Sequence, residues 1–149
     1  MATTGAMGKN FGDSNVKKNQ DFYCYAFSIE PINFGTSVTR TLQIEADSDF
    51  HSLKMTYLAN IAAAALTDST RVIPLIRIQV QDTGSGRNLF NQAVPIPTIM
   101  GTGELPFIIP LKQGRQFKSN SGITFTLTNY SAAVNYNIDV VLSGVKTWD

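Results

Sequence analysis

The residue types that carry most enzyme and metal chemistry are nearly missing from this chain: among 149 residues there are one histidine, one cysteine and one tryptophan. One cysteine and one histidine cannot supply the three or four ligands of a zinc site. The lone cysteine, Cys24, closes no intramolecular disulfide, and its apolar neighbours make it read as a small buried hydrophobe and not a reactive thiol. Nucleophilic catalysis of the Ser-His or Cys-His kind has only His51 to draw on. Beside Phe50 at a strand edge, His51 reads as a hydrogen-bonded structural residue. Charge is scarce as well, at 15% of residues against about 25% in ordinary soluble domains. Twelve basic and eleven acidic side chains leave a formal net charge of +1, so there is no sequence-wide electrostatic footprint for nucleic acid. No run approaches the roughly 18 apolar residues of a membrane span, and the first twenty residues hold no signal-peptide core. The expectations are a soluble protein that is not an enzyme, carries no cofactor, and has neither nucleic acid nor membrane as partner.

What is present is a two-residue apolar period. The length suits one domain with a proper core. Residues 1–20, rich in Gly, Asn, Thr, Ser and Lys and without periodicity, read as an extended N-terminal arm, with Phe11 as its natural anchor. From residue 21 to 149 a single all-β domain is expected. "FYCYAFSI" sets Tyr23, Tyr25 and Phe27 on one face and is closed by Pro31. "VTRTLQIE" sets Val38, Leu42 and Ile44 inward, and "LKMTYL" does the same with Leu53, Met55 and Tyr57. "LIRIQVQ" alternates Ile76, Ile78 and Val80 with polar residues. "PFIIPLKQ" offers Phe107, Ile109 and Leu111, but Pro106 and Pro110 demote it to an edge strand. "GITFTLTN" and "YNIDVVLSGVKTW" bring Ile123, Phe125, Leu127, Ile138, Val140 and Leu142 inward. A short strand near "NQAVPIPTIM" makes eight. The reading is an antiparallel two-sheet β-sandwich, and eight such strands fit a jelly roll better than the seven of an immunoglobulin-like sandwich. The misfit is Asn60 to Arg71, where four alanines indicate a helical turn or a packed loop.

Two stretches invite a chemical reading. "DTGSGRNLF", Asp82 to Phe90, lacks the Lys-Ser/Thr step of a phosphate-binding P-loop, and Leu89 stands where a dinucleotide fingerprint needs its third glycine. Asp82 followed by Gly84 and Gly86 is turn chemistry between antiparallel strands. Glu45, Asp47 and Asp49, at every second position, are a weak candidate for a calcium site, opposed by the absence of an EF-hand glycine and distal glutamate. Trp148, near the end of the sequence, reads as a wedge onto its own domain or a neighbour.

The run from Ile78 to Trp148 resembles the jelly-roll capsid cement or decoration proteins of tailed bacteriophages. The matching features are the strand ending in "DTGSGRNLFN", the P-x-P segment followed by "GTGELPF", the "FKSNSGITFTLTN" arm and the closing "LSGVKTW". They cover about 70 residues, and "DFHSLKM" adds a little. The resemblance implies a virion protein, made in the host cytoplasm, that binds the capsid exterior between major capsid subunits and stabilises the shell. Its partners would be the major capsid protein and itself, as homodimer or homotrimer. No catalytic residue carries over. Contact with capsid or sister subunits is assigned to Phe11, Lys17 and Lys18 of the arm, to Arg87 and Asn88 of the turn, and to Trp148. The alternatives are a phage tail, neck or receptor-binding component, and a carbohydrate-binding sandwich, which needs an exposed platform from Tyr23, Tyr25, Tyr57 or Tyr130.

Overall fold

The computed structural model describes residues 19–62, 71–102 and 114–149. Among them the period-two segments become strands: β1 (Asn19–Ile32), β2 (Ser37–Gln43), β3 (Asp49–Ile61), β4 (Ile76–Asp82), β5 (Arg87–Asn88), β6 (Val94–Pro95), β7 (Arg115–Phe117), β8 (Gly122–Asn129) and β9 (Tyr136–Trp148). They form two antiparallel sheets, one in the order β1-β9-β3-β7 and the other β2-β8-β4, with β5 and β6 sharing the outer edge of β4. The first four strands alternate between the two sheets, which places their apolar faces on opposite sides of one core.

That core is what the alternation dictates. Ile76, Ile78 and Val80 of β4, Ile123, Phe125 and Leu127 of β8, and Ile138, Val140 and Leu142 of β9 are all buried. Aromatic rings knit the layers, with Phe27 lying 4.8 Å from Phe125 and Tyr25 4.8 Å from Phe50 between ring centres. The outward face of the second sheet explains how a chain so poor in charge covers itself. Ser37 meets Thr128, Thr39 meets Thr126, and Thr41 meets Thr124 across β2 and β8, hydroxyl to hydroxyl at 2.7, 3.4 and 3.1 Å. Cross-strand hydroxyl pairs of this kind stabilise a sheet without charge.

Several expectations need correction. Cys24 is exposed, because the face parity that turns Tyr23, Tyr25 and Phe27 inward turns Cys24 out, towards Ser143. Pro31 does not close the first strand; β1 runs on to Ile32 past a cis Glu30–Pro31 bond. Leu53 is 53% exposed because the pairing of β3 with β9 slips between Ser52 and Lys54. Such a bulge sets an extra residue outside the alternation. Phe50 and Ser52 before it and Tyr57 after it all point inward. The strand expected near "NQAVPIPTIM" is only the two residues of β6, followed by a 3-10 turn, Ile96–Thr98. The edge strand expected at "PFIIPLKQ" lies outside the described residues, as does most of the Asn60–Arg71 segment, whose ends pair with each other as an isolated bridge.

Candidate functional site

The two ends of the sandwich differ in chemistry. At one end meet the loops 44–48, 82–87 and 118–121, the start of β1 and the end of β9. Backbone bonds tie them: Ile44 N–H donates to Ser121 O at 2.8 Å, Thr83 N–H to Gly122 O at 2.9 Å, and Asn120 N–H to Glu45 O at 3.3 Å. This end is charged. Asp49 accepts from Ser119 N–H at 2.8 Å and pairs with Lys118 at 3.6 Å, and Arg115 meets the buried Asp82 at 3.3 Å.

The turn beginning at Asp82 is the structural one its sequence calls for. Asp82 Oδ1 accepts from Gly84 N–H at 3.0 Å, and Gly86, at φ +69°, donates to Asp82 O at 2.8 Å. Aspartate side chains commonly close such a turn. Arg87 and Asn88 follow it as the exposed strand β5, and Asn88 borders a cavity of about 290 Å³ with Leu53, Met55, Leu89 and Phe90. The candidate calcium ligands do not converge. Glu45 and Asp47 are both taken by the Lys146 ammonium, Glu45 in a short hydrogen-bonded pair and Asp47 at 3.7 Å, while Asp49 turns away to Ser119 and Lys118. A buried lysine thus stands where a cation was considered. No group of three acidic, histidine or cysteine side chains able to hold a metal occurs among the described residues. Lys146 also lies 3.9 Å from the ring centre of Tyr23, within reach of a cation–π interaction. Trp148 lines a cavity of about 500 Å³ here, beside Asp21, Phe22, Tyr23 and Asp47. Of the six contact residues assigned from sequence, Arg87, Asn88 and Trp148 share this charged end, and Phe11, Lys17 and Lys18 lie outside the described residues.

The opposite end is built from segments 33–36, 72–75, 95–102 and 130–135, and none of their residues is acidic or basic. Their adjacency is set by hydrogen bonds. Phe34 N–H donates to Asn135 Oδ1 at 2.9 Å, Tyr130 N–H to Leu75 O at 2.8 Å, and Ala62 N–H to Asn135 O at 3.0 Å. Asn129, wholly buried, pins the end together: its Nδ2 donates to Ile32 O at 3.0 Å and Val134 O at 2.8 Å, and its Oδ1 accepts from Ser131 N–H at 2.8 Å. On this rigid base large apolar side chains face solvent: Ile73 at 76%, Leu75 at 61%, Tyr130 at 55% and Phe34 at 50% exposure. Ile73, Leu75 and Tyr130 border one concavity of about 350 Å³ with Pro95, Pro97 and, from β4, the charged Arg77. A contiguous apolar patch rimmed by polar groups marks an interaction surface. Of the tyrosines considered as a sugar platform, Tyr25 and Tyr57 are buried and Tyr130 carries the Arg77 guanidinium over its ring at 4.9 Å.

Sequence reading missed this end, though a signal was there. In "VIPLIRIQV" the buried positions are 76, 78 and 80, so Ile73 and Leu75 share the parity of the outward Arg77 and Gln79. Four separate loops without a charge are a second signal, visible only once the topology brings the loops together.

No family model matches the sequence, and no curated protein matches it. Among solved structures, a chain of "Cyanophage Pam1 capsid asymmetric unit" is similar, with 13% sequence identity and a TM-score of 0.46 over 91% of this chain and 89% of that one.

Proposed function

We propose that the chain is a virion structural protein of the cement or decoration type, which binds the outside of a phage capsid between major capsid subunits and stabilises the shell. The observation that carries the reading is the segregation of charge: one end of the sandwich presents Ile73, Leu75, Tyr130 and Phe34 on loops without a single ionised group, braced by the buried Asn129. A solvent-exposed apolar end on a rigid base is stabilised by being covered. The resemblance of Ile78–Trp148 to tailed-phage decoration proteins names the partner, the major capsid protein, and the alternation of strands between sheets is the pattern a jelly roll requires. Self-association as a homodimer or homotrimer at a symmetry axis would multiply weak contacts by avidity. The role has no catalytic step.

The test is copy number in purified particles of the encoding phage, measured by quantitative mass spectrometry against the major capsid protein, together with the rupture temperature of particles stripped of the chain. Hundreds of copies in simple ratio and earlier rupture are expected. A handful of copies would move the chain to the tail or neck, and unchanged rupture would overturn the stabilising role.

A further inference from the structure

An open sheet ends in edge strands, whose unpaired backbone groups invite a further strand unless short length, proline or charge prevents it. Among the described residues most edges of this sandwich are protected in that way. β7 is three residues long, β5 and β6 two each, and β2 carries the exposed Arg40 at its centre. β1 is the exception. It runs for 14 residues along the outer edge of its sheet, and from Phe22 to Ile29 it holds neither a charged residue nor a proline. Its outward face is uncovered, with Phe22 75% exposed and Cys24 and Ala26 also open to solvent.

The register fixes which backbone groups of β1 are unpaired. Ala62 N–H donates to Asn135 O, and this pair continues the alignment of β3 with β9. Hydrogen-bonded pairs alternate along an antiparallel ladder, so Asp139, Val141 and Ser143 bond to β3, and Ile138, Val140 and Leu142 bond to β1. Their partners there are Ile29, Phe27 and Tyr25. The residues between them, together with Phe22, aim their N–H and C=O groups away from β9. Phe22, Cys24, Ala26 and Ser28 thus present both their side chains and their spare hydrogen bonds on the free edge.

We infer that β1 pairs antiparallel with β1 of a second copy about a two-fold axis at Cys24. A two-fold contact sets a strand against itself in reverse, and this strand is complementary to its own reverse. Centred on Cys24, Phe22 lies opposite Ala26, a large ring beside the smallest side chain of that face, and Gln20 lies opposite Ser28. Centring on Tyr25 would set Phe22 against Ser28, which already holds Asp139, and centring on Ala26 would set it against Glu30. Such pairing joins the two sheets into one and covers the apolar edge. It narrows the self-association proposed above to a two-fold dimer, yet it concerns the purified chain alone and stands or falls apart from capsid binding.

Sedimentation equilibrium of the full-length chain is expected to show a monomer–dimer equilibrium in the micromolar range. Cys24→Lys sets two ammonium groups opposite each other, where like charges oppose pairing. The dissociation constant should rise at least about tenfold, or about 1.4 kcal/mol, with circular dichroism unchanged because Cys24 is exposed. Crosslinking reads the register. In a Cys24→Ser background, Phe22→Cys and Ala26→Cys chains treated with copper phenanthroline should form disulfide dimers when mixed and hardly any when oxidised separately. Only the mixture places the two thiols opposite one another, with Cα atoms about 5.5 Å apart and within disulfide reach. The oxidant takes two electrons and the two thiol protons go to solvent. A monomer at every concentration would overturn the proposal. So would a dimer that Cys24→Lys leaves unchanged, or equal crosslinking in mixed and separate samples, because copies would then meet through another surface.

Discussion

At the scale of single residues, two buried polar groups decide stability in opposite ways. Asn129 uses its amide donor group on two backbone carbonyls, those of Ile32 and Val134, and its carbonyl on the Ser131 N–H. Removing it takes a hydrogen bond from each of two backbone carbonyls and one N–H, and a buried polar group left unpaired costs about 1–3 kcal/mol. Asn129→Ala is therefore expected to destabilise the chain by about 2–4 kcal/mol in urea melts. A loss below about half a kcal/mol would show that water reaches these groups.

Lys146 is the converse case, a buried cation whose partners reach solvent. Burial works against its ammonium, but the hydrogen bond to Glu45 and the charges of Tyr25, Asp47 and Glu45 outweigh it and hold its pKa above the ordinary lysine value. The negative charge of Glu45, together with burial, likewise pushes the Tyr23 phenol up. Both groups titrate higher in the folded chain than in the unfolded one, from ordinary values of 10.5 and 10.0. Their contribution is thus fully present below about pH 10 and lost as pH rises through the raised values. Glu45 is half exposed, so Glu45→Gln should cost only about 0.5–1 kcal/mol near neutrality. The gap between its melting curve and that of the wild type should close above about pH 10. A gap constant to pH 11 would mean that Glu45 acts by packing and not through charge.

At the scale of elements, the strands were legible because period two is a one-dimensional signal, and it failed where pairing geometry intervened. In β4 and β8 nothing interrupts the register, and every inward residue named from sequence is buried. In β3 the alternation looks equally clean from Leu53 to Tyr57, yet the slip opposite β9 puts Leu53 outside. The cause sits on the other strand. A Cβ on Gly144 would run into the His51 carbonyl oxygen, so the two backbones approach closely next to the bulge. No local pattern in β3 records a glycine some ninety residues away. The consequence can be measured with three variants. Leu53→Lys should be neutral within about 0.5 kcal/mol, whereas Tyr57→Ala should cost about 3–5 kcal/mol and Gly144→Ala about 2–3 kcal/mol. A Leu53→Lys loss as large as that of Tyr57→Ala would place Leu53 in the core and remove the bulge. The candidate docking face was illegible for a related reason: its four segments are far apart in sequence, and only the topology assembles their shared lack of charge.

At the scale of the whole molecule, the unequal ends make the proposed docking mode testable through salt. Contacts between ionised surfaces weaken steeply as the screening length falls from about 30 Å at 10 mM to about 3 Å at 1 M, whereas burial of apolar side chains holds or strengthens with added salt. If the end bearing Ile73, Leu75 and Tyr130 seats on the capsid, rebinding of the purified protein to stripped particles should be nearly flat between 50 mM and 500 mM salt. Leu75→Asp places a carboxylate in the patch, which must be stripped of water when the patch is covered. At about 2 kcal/mol or more for a central contact, binding should weaken by roughly thirtyfold. Leu75 is 61% exposed, so the melting temperature of the free protein should hardly move. Binding that falls steeply with salt, and that Leu75→Asp leaves intact, would assign attachment to the opposite end with its carboxylates and lysines. The apolar patch would then be the surface on which copies of the chain meet one another.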